Sequence, residues 1–174
     1  LPIPPFPLVT LLKLSPPPPP VTPNFKTDQH PPINDPPLTL PPASSPLSLR
    51  HKQYLTSRHF SASRLIDQWG LLATGSTGYY RHRILAPILY KGQAVSYQCR
   101  AIHPEQQKPY LPCRKEDEVV RHKSIVYGYD KALLTGQCRV VEGITDVWRW
   151  GAGAVATFGK SYSNRQVRLI ANSF

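Results

Sequence analysis

Three residues in the C-terminal part of the chain have types and a spacing suited to chemistry. Glu142 and Gly143 follow the hydrophobic segment 138–141, and Asp146 lies one helical turn further on. Open parallel sheets bind ligands where a strand ends and a helix begins, and a carboxylate at that point can hold a metal ion or move a proton. The same spacing fits acids that complement the dipole of a helix N-terminus, so both interpretations stay open.

Basic and tyrosine side chains are interleaved in the middle of the chain. The basic residues are Arg81, Arg83, Lys91, Arg100, Lys108, Arg114, Lys115, Arg121 and Lys123, and the tyrosines are Tyr79, Tyr80, Tyr90, Tyr97 and Tyr110. Cations that neutralise phosphates and rings that stack on bases are what binding of a single-stranded nucleic acid requires. The pattern predicts such a surface, and the alternative is a solvated surface with buried tyrosines.

Other chemistries are less well supported by the residue spacing. Cys99 with His103 and Cys113 with His122 have zinc-ligand types, but no pair has the short CxxC spacing, which favours incidental or buried cysteines. The glycines at 151–153 match a dinucleotide fingerprint but follow a helix and precede a strand, which is the wrong order. The sequence has no Walker loop and no nucleophile elbow.

The candidate residues need helices and strands to position them. Apolar spacing behind serine caps predicts helices at 48–55 and 61–70, and apolar runs around a Lys-Gly turn predict a β-hairpin at 84–90 and 93–100. Pro87 predicts that its strand lies at an edge or beside a bulge. A buried strand, a helix, a strand and a helix then follow at 138–141, 143–150, 154–158 and 163–172. This βαβα order is typical of a parallel sheet and makes the predicted fold α+β.

Composition divides the chain into an arm and a body. Of the 21 prolines 17 lie in residues 1–46, whereas the net charge of +11 falls entirely in residues 49–174. We therefore expect a proline-rich, disordered arm over 1–48, acting as a linker or as a docking peptide, followed by one basic domain. No stretch approaches the ~18 uninterrupted apolar residues of a membrane span, and three scattered cysteines fit reduced thiols in the cytoplasm. A chain that starts at leucine and lacks methionine is interpreted as a fragment.

Six segments, in the same order, resemble motifs of bacterial and phage DNA primases. Residues 140–147 resemble the first motif of the TOPRIM fold, a hydrophobic strand followed by Glu-Gly-x-x-Asp. The other five segments resemble the helical lead-in, the Arg-rich strand ending in Pro-Ile, the Gly-x-Val-x-Phe-x-Gly-Arg strand, the Lys-x-x-x-Tyr-Gly element and the second TOPRIM strand. They are residues 54–60, 81–88, 91–100, 123–128 and 154–159.

The resemblance implies a domain division and roles for single residues. It implies a basic nucleic-acid-binding subdomain over 49–136 and the N-terminal part of a TOPRIM domain over 137–174. Glu142 would be the catalytic and metal-binding acid, Gly143 and Asp146 would support its site, and six residues would contact nucleic acid or nucleotide. These six are Arg81, Arg83, Arg100, Lys108, Tyr110 and Lys123.

The resemblance also implies an activity and partners. The family makes short RNA primers on single-stranded DNA from ribonucleotides, with Mg²⁺ or Mn²⁺ as the cofactor, in a bacterial or phage-infected cytoplasm and in some cases beside a replicative helicase. The Asp-x-Asp strand that completes the metal site is expected beyond residue 174, so we expect 1–174 to be inactive. The alternatives are a non-catalytic single-stranded nucleic-acid-binding fragment and another TOPRIM enzyme, a nuclease or topoisomerase.

Overall fold

The computed structural model describes residues 37–174, which contain five α-helices and six β-strands. The helices are α1 (Leu49–Ser57), α2 (Ala62–Trp69), α3 (Tyr129–Thr135), α4 (Ile144–Trp150) and α5 (Asn164–Ser173). The strands are β1 (Leu72–Ala73), β2 (Arg83–Tyr90), β3 (Gln93–Ala101), β4 (Tyr110–Pro112), β5 (Arg139–Val141) and β6 (Ala154–Ala156). None of the helices in the described part is long and apolar enough to cross a bilayer.

Strands β1 to β4 form an antiparallel sheet in sequence order, built around the predicted hairpin. Lys91 and Gly92 form its turn with φ of 54° and 79°, the left-handed conformations that a tight two-residue hairpin requires. The pairing of β2 with β3 shifts between Ile88 and Leu89, and β1 pairs only with Ile84 and Leu85. Pro87 therefore lies next to an irregularity and beyond the end of β1, where its missing N–H costs no bond to that strand.

The hydrophobic core on one face of this sheet contains two of the cysteines. Tyr80, Leu85, Tyr97, Leu111, Cys99 and Cys113 form one buried cluster. Burial raises the pKa of the Cys113 thiol to about 11 and that of Cys99 further, so neither forms a thiolate near neutral pH. The prediction of buried cysteines is confirmed for these two, and Cys138 is half-buried.

Strands β5 and β6 form a parallel pair with α4 as the crossover, as the sequence predicts. Ala154, Val155 and Ala156 of β6 are fully buried, and Ala156 also bridges to Tyr127. The prediction that the preceding strand is buried is wrong. Val140 is 51% exposed and Arg139 is exposed as well, because within residues 37–174 β5 pairs with β6 alone and forms the edge of the pair.

Aromatic side chains connect α2 to the segment before α3 and to α4. Helix α2 begins behind the Ser61 cap and ends at Gly70, whose φ is 62°. Its last residue, Trp69, stacks on Tyr127 at 5.2 Å, and the Tyr127 hydroxyl accepts a hydrogen bond of 2.9 Å from Trp148 Nε1 of α4. These contacts place helix α2, the connection before α3 and helix α4 in one packed unit.

The packed body begins earlier than the predicted arm boundary at residue 48. Leu38 and Leu40 pack against the cysteine-containing cluster, Ser45 bridges to Ala73, and Leu47 is buried. The predicted arm is therefore wrong for residues 38–47, because their apolar side chains cover the sheet. The rest of that prediction concerns residues 1–36, which lie outside the described residues. The further division of the body at residue 136 stays a prediction.

Candidate functional site

The register of the antiparallel sheet separates the predicted nucleic-acid-binding residues onto two faces. Ile84 lies opposite Arg100, and Arg100 lies opposite Tyr110, so these side chains share one face. Arg83 lies opposite Ala101 and points to the other face, because side chains alternate along a strand. The structure therefore brings Arg100 and Tyr110 together and separates Arg83 from them.

Arg100 and Tyr110 connect the sheet to two helices. Arg100 Nε donates a hydrogen bond of 2.9 Å to the Tyr54 hydroxyl of α1, and its guanidinium carbon lies 4.6 Å from the centre of the Tyr110 ring. The Tyr110 hydroxyl in turn lies 2.9 Å from Thr145 Oγ1 at the start of α4. These contacts place the two predicted binding residues beside the junction that carries Glu142.

The Glu142 junction, residues 141–146, joins the end of β5 to the first turn of α4. Gly143 N–H donates to Asp146 Oδ2 at 3.0 Å, which supports the start of the helix, and the Glu142 carbonyl accepts from Gly159 N–H at 2.8 Å. The Glu142 side chain is exposed. A Cβ at Gly143 would meet Asp146 Oδ2 at 3.4 Å, an ordinary contact, so packing alone does not demand glycine there.

The described residues do not complete a magnesium site at this junction. Magnesium takes oxygen ligands in near-octahedral geometry and is held in proteins by carboxylates together with water or substrate phosphates. Residues 37–174 contain no group of three or more His, Cys, Asp or Glu side chains placed to hold a metal ion. Asp146 uses Oδ2 to accept from Gly143, so Glu142 and the second oxygen of Asp146 are the carboxylate ligands left at this junction, too few to hold the ion.

A second candidate region is a cleft of about 740 Å³ on the Arg83 face of the sheet. We call it the basic cleft; Tyr79, Arg81, His82, Arg83, His103 and Lys108 line it, together with Glu105, Gln106, Gln107 and Leu111. Arg83 Nη1 donates to the Lys108 carbonyl at 2.9 Å and fixes the loop that forms one wall. Burial lowers the pKa of Arg83 from its usual range, yet this guanidinium keeps its charge.

Lys123 occupies a different position from the other predicted cations. Its ammonium group donates to the carbonyls of Thr157, Phe158 and Ser161 at 3.0, 3.2 and 2.8 Å. An ammonium has three N–H groups, so these three bonds use its full donor capacity. The geometry therefore favours a structural role for Lys123, holding the loop after β6, over the predicted contact with nucleic acid.

Several contacts in these regions carry no signal in the sequence. Tyr54 contacts Arg100 and Thr145 contacts Tyr110 only because α1 and α4 pack on the sheet. His82 and His103 are 21 positions apart, and their rings lie 5.2 Å apart in the basic cleft. Contacts of this kind depend on the strand register, which local residue patterns do not specify.

The fold is similar to solved structures of primases. One is the DnaG catalytic core, with a TM-score of 0.59 and 19% identity over 74% of this chain and 53% of that chain. Another is the RNA polymerase domain of Mycobacterium tuberculosis primase DnaG, with a TM-score of 0.58 and 20% identity over 74% of this chain and 56% of that chain. A third is the DnaG primase catalytic domain bound to single-stranded DNA, with a TM-score of 0.55 and 20% identity over 74% and 54%.

These similarities confirm the predicted α+β class and the resemblance to the primase catalytic core at the level of the fold. The chain spans about half the length of the solved primases it resembles. Neither a family model nor the sequence of a curated protein matches it.

Proposed function

We propose that the chain is part of a primase-type catalytic core and that the part described here binds single-stranded DNA. The observation that carries the proposal is the basic cleft, which lies on the antiparallel sheet of a fold shared with primase catalytic domains. Arg81 and Lys108 are exposed cations of that cleft and are suited to contact phosphates. Arg100 and Tyr110 would hold the sheet against α4 and so position Glu142 relative to the bound strand.

Glu142 would supply one carboxylate to a metal site that is completed by groups outside the described residues. In a complete core the metal would be Mg²⁺ or Mn²⁺, and the reaction would be synthesis of short RNA primers from ribonucleotides during DNA replication. A replicative helicase partner and a cytoplasmic location belong to the same proposal. The described residues do not complete this site, so we derive no catalytic step from them.

The second candidate function is a non-catalytic single-stranded nucleic-acid-binding fragment. The specific observation in its favour is that residues 37–174 contain no group of three or more metal-ligating side chains at the Glu142 junction or elsewhere. Binding of single-stranded DNA is common to both candidates, so its measurement tests the shared step and leaves catalysis to a separate assay.

The experiment is fluorescence anisotropy of a labelled oligothymidylate with residues 1–174 across a salt series. With about five phosphates neutralised, log K falls with log[salt] at a slope of about −3.5, so affinity drops roughly a hundredfold between about 50 and 200 mM salt. The double variant R81Q/K108Q should lower that slope by about 1.4, since each phosphate contact contributes about 0.7.

The matched control is K160Q/R168Q, which removes the same two charges from exposed positions after β6 and on α5. Neither control residue lines the basic cleft. A salt-independent affinity, or an equal loss of slope in both double variants, would show that the basic cleft does not bind the strand.

A further inference from the structure

Two histidines lie against each other inside the basic cleft. The rings of His82 and His103 are 5.2 Å apart and nearly perpendicular, and both line the cleft. His82 has a φ of 55°, a left-handed conformation that residues with a Cβ adopt infrequently. Two backbone bonds hold it there, His82 N–H to the Gly75 carbonyl at 2.8 Å and Ile102 N–H to the His82 carbonyl at 3.3 Å. The backbone that carries the His82 ring is therefore held in this conformation.

The groups around these rings are mainly cationic. Arg81, Arg83 and Lys108 line the cleft, and helix α1 places Arg50 and the buried His51 near His82. The Ser48 hydroxyl lies 2.7 Å from His51 Nδ1. Glu105 is the one carboxylate among the residues that line the cleft. An anion entering the cleft would meet three permanent cations and two further groups that can become cationic.

The histidine charges depend on pH in a defined direction. Partial burial, with smaller contributions from His103 and Arg50, lowers the pKa of His82, and burial lowers the pKa of His51. Because its pKa is lowered, His82 is neutral at pH 7. It gains its charge only when the pH falls below 6.5, the ordinary pKa of a histidine. A bound anion acts in the opposite direction, because an adjacent negative charge favours the protonated ring.

A buried donor in the cleft lacks a protein acceptor. Arg83 is 4% exposed, and its Nε has no hydrogen-bond partner among residues 37–174, although Nη1 donates to the Lys108 carbonyl. Leaving a buried charged donor unsatisfied is unfavourable, and native structures nearly always provide an acceptor. A phosphate oxygen is an acceptor of the required kind and charge.

We propose that the basic cleft is a phosphate-binding site in which His82 and His103 make the affinity pH-dependent. The proposal rests on the function proposed above and deepens it, because it assigns the phosphate contact to the basic cleft and makes its affinity increase as the pH falls. The phosphate can belong to the backbone of a single strand or to a nucleotide, and both present the same chemistry to Arg83 and the two rings.

The test compares wild type, H82N/H103N and H59N by anisotropy with an oligothymidylate that lacks terminal phosphates. Its phosphodiesters keep one charge each over the whole range, so only the protein titrates. Asparagine tolerates a positive φ, and His59 is an exposed histidine with a φ of 61°, which makes H59N a control matched in residue type and backbone conformation.

We expect wild type and H59N to bind about tenfold more tightly near pH 5.5 than near pH 7.5, a change of about 1.4 kcal/mol, at constant ionic strength. H82N/H103N should gain about twofold at most, because both imidazole rings of the cleft are gone. Competition with ATP distinguishes the sources: displacement of the oligonucleotide by ATP assigns the site to nucleotide phosphates, and lack of displacement assigns it to the strand backbone.

NMR titration of the wild-type histidines keeps the proposal testable if the double variant misfolds. Saturating oligonucleotide should raise the pKa of His82 by about one unit, since a neighbouring phosphate favours the charged ring. An unchanged pKa for His82, or the same pH response in wild type and H82N/H103N, would overturn the proposal. If the oligonucleotide binds at no pH, the proposed function fails, and titration with ATP alone then tests the cleft.

Discussion

The basic cleft and the Glu142 junction differ in how their polar groups are used. In the cleft, cations surround about 740 Å³ of open space, and Arg83 Nε has no acceptor among the described residues. At the junction the neighbouring polar groups already bond to one another: Asp146 accepts from Gly143, and Tyr110 lies 2.9 Å from Thr145. The Glu142 carboxylate and the second oxygen of the exposed Asp146 carboxylate are the acidic groups left for a ligand there.

This difference separates binding from chemistry in the described residues. Anion binding needs only positive charge, donors and space, and a few residues of one sheet face supply all three. A magnesium site needs several oxygen ligands that converge in near-octahedral geometry, and Glu142 and Asp146 alone do not provide them. We therefore expect residues 37–174 to contain a nearly complete anion-binding site and an incomplete metal site.

The largest effect is expected from a cation whose donors are all used by the protein. Replacing Lys123 by methionine removes three bonds to the carbonyls of residues 157, 158 and 161. Bonds from a charged donor contribute about 1.5–3 kcal/mol each when buried, and partial exposure here reduces the expected total loss to about 2 kcal/mol. At this chain length that loss lowers Tm by roughly 4–8 °C.

The matched variant is K108M, which removes the same charge from an exposed position in the basic cleft. It should leave Tm within about 1 °C but lower the salt slope of DNA binding by about 0.7, the contribution of one single-strand phosphate. K123M should keep the wild-type slope. A K123M protein with normal Tm and a reduced slope would contradict the structural role and restore the predicted contact with nucleic acid.

A smaller effect is expected where Tyr110 meets α4. Tyr110→Phe keeps the ring under the Arg100 guanidinium but removes the hydroxyl that bonds to Thr145, so the expected loss is about 1 kcal/mol in urea unfolding. Tyr79→Phe, at an exposed tyrosine of the cleft, is the control and should change stability by less than about 0.5 kcal/mol.

A double-mutant cycle isolates the hydroxyl pair from other effects of each change. Y110F and T145V should show a coupling energy of about 0.5–1 kcal/mol, whereas Y79F and T145V should be additive. Additivity of Y110F with T145V would show that the sheet and the Glu142 junction are not connected through this pair.

Features with local causes were predictable from the sequence. The cap at Ser61, the Lys91-Gly92 turn and the βαβα order depend on residues that are neighbours in the chain, and the structure contains each of them; the Ser48 side chain, in contrast, makes no capping bond to α1. The resemblance to the primase core could also be identified from the sequence, because its motifs are short segments in a fixed order. The confirmed α+β fold follows from the same local patterns.

Features that depend on distant contacts were not predictable. The separation of Arg83 from Arg100 follows from the register of β2 against β3. A shift of one strand by one residue would move all its side chains to the other face of the sheet. The role of Lys123 depends on a loop that is more than 30 residues away, and the exposure of β5 depends on how many strands flank it. The local sequence of residues 38–47 predicts a proline-rich linker. The packing of Leu38 and Leu40 against the buried cluster of the sheet is a distant contact that this local pattern does not specify.

The smallest expected effect is that of magnesium and of Glu142 itself. If the described residues held the ion with a Kd of about 0.1 mM, then about 10 mM Mg²⁺ would stabilise the fold by about 2.7 kcal/mol, an easily measured rise in Tm. With no group of three ligating side chains among the described residues we expect no such rise in residues 1–174 at matched ionic strength, and Glu142→Gln should change stability by less than about 0.5 kcal/mol. The same protein should incorporate no labelled ribonucleotide on a single-stranded template with Mg²⁺ or Mn²⁺.

DNA binding by E142Q should equal that of wild type, because Glu142 does not line the basic cleft. A magnesium-dependent rise in Tm that is lost in E142Q would show that the ion binds at the junction, and primer synthesis by residues 1–174 would contradict the separation of binding from chemistry.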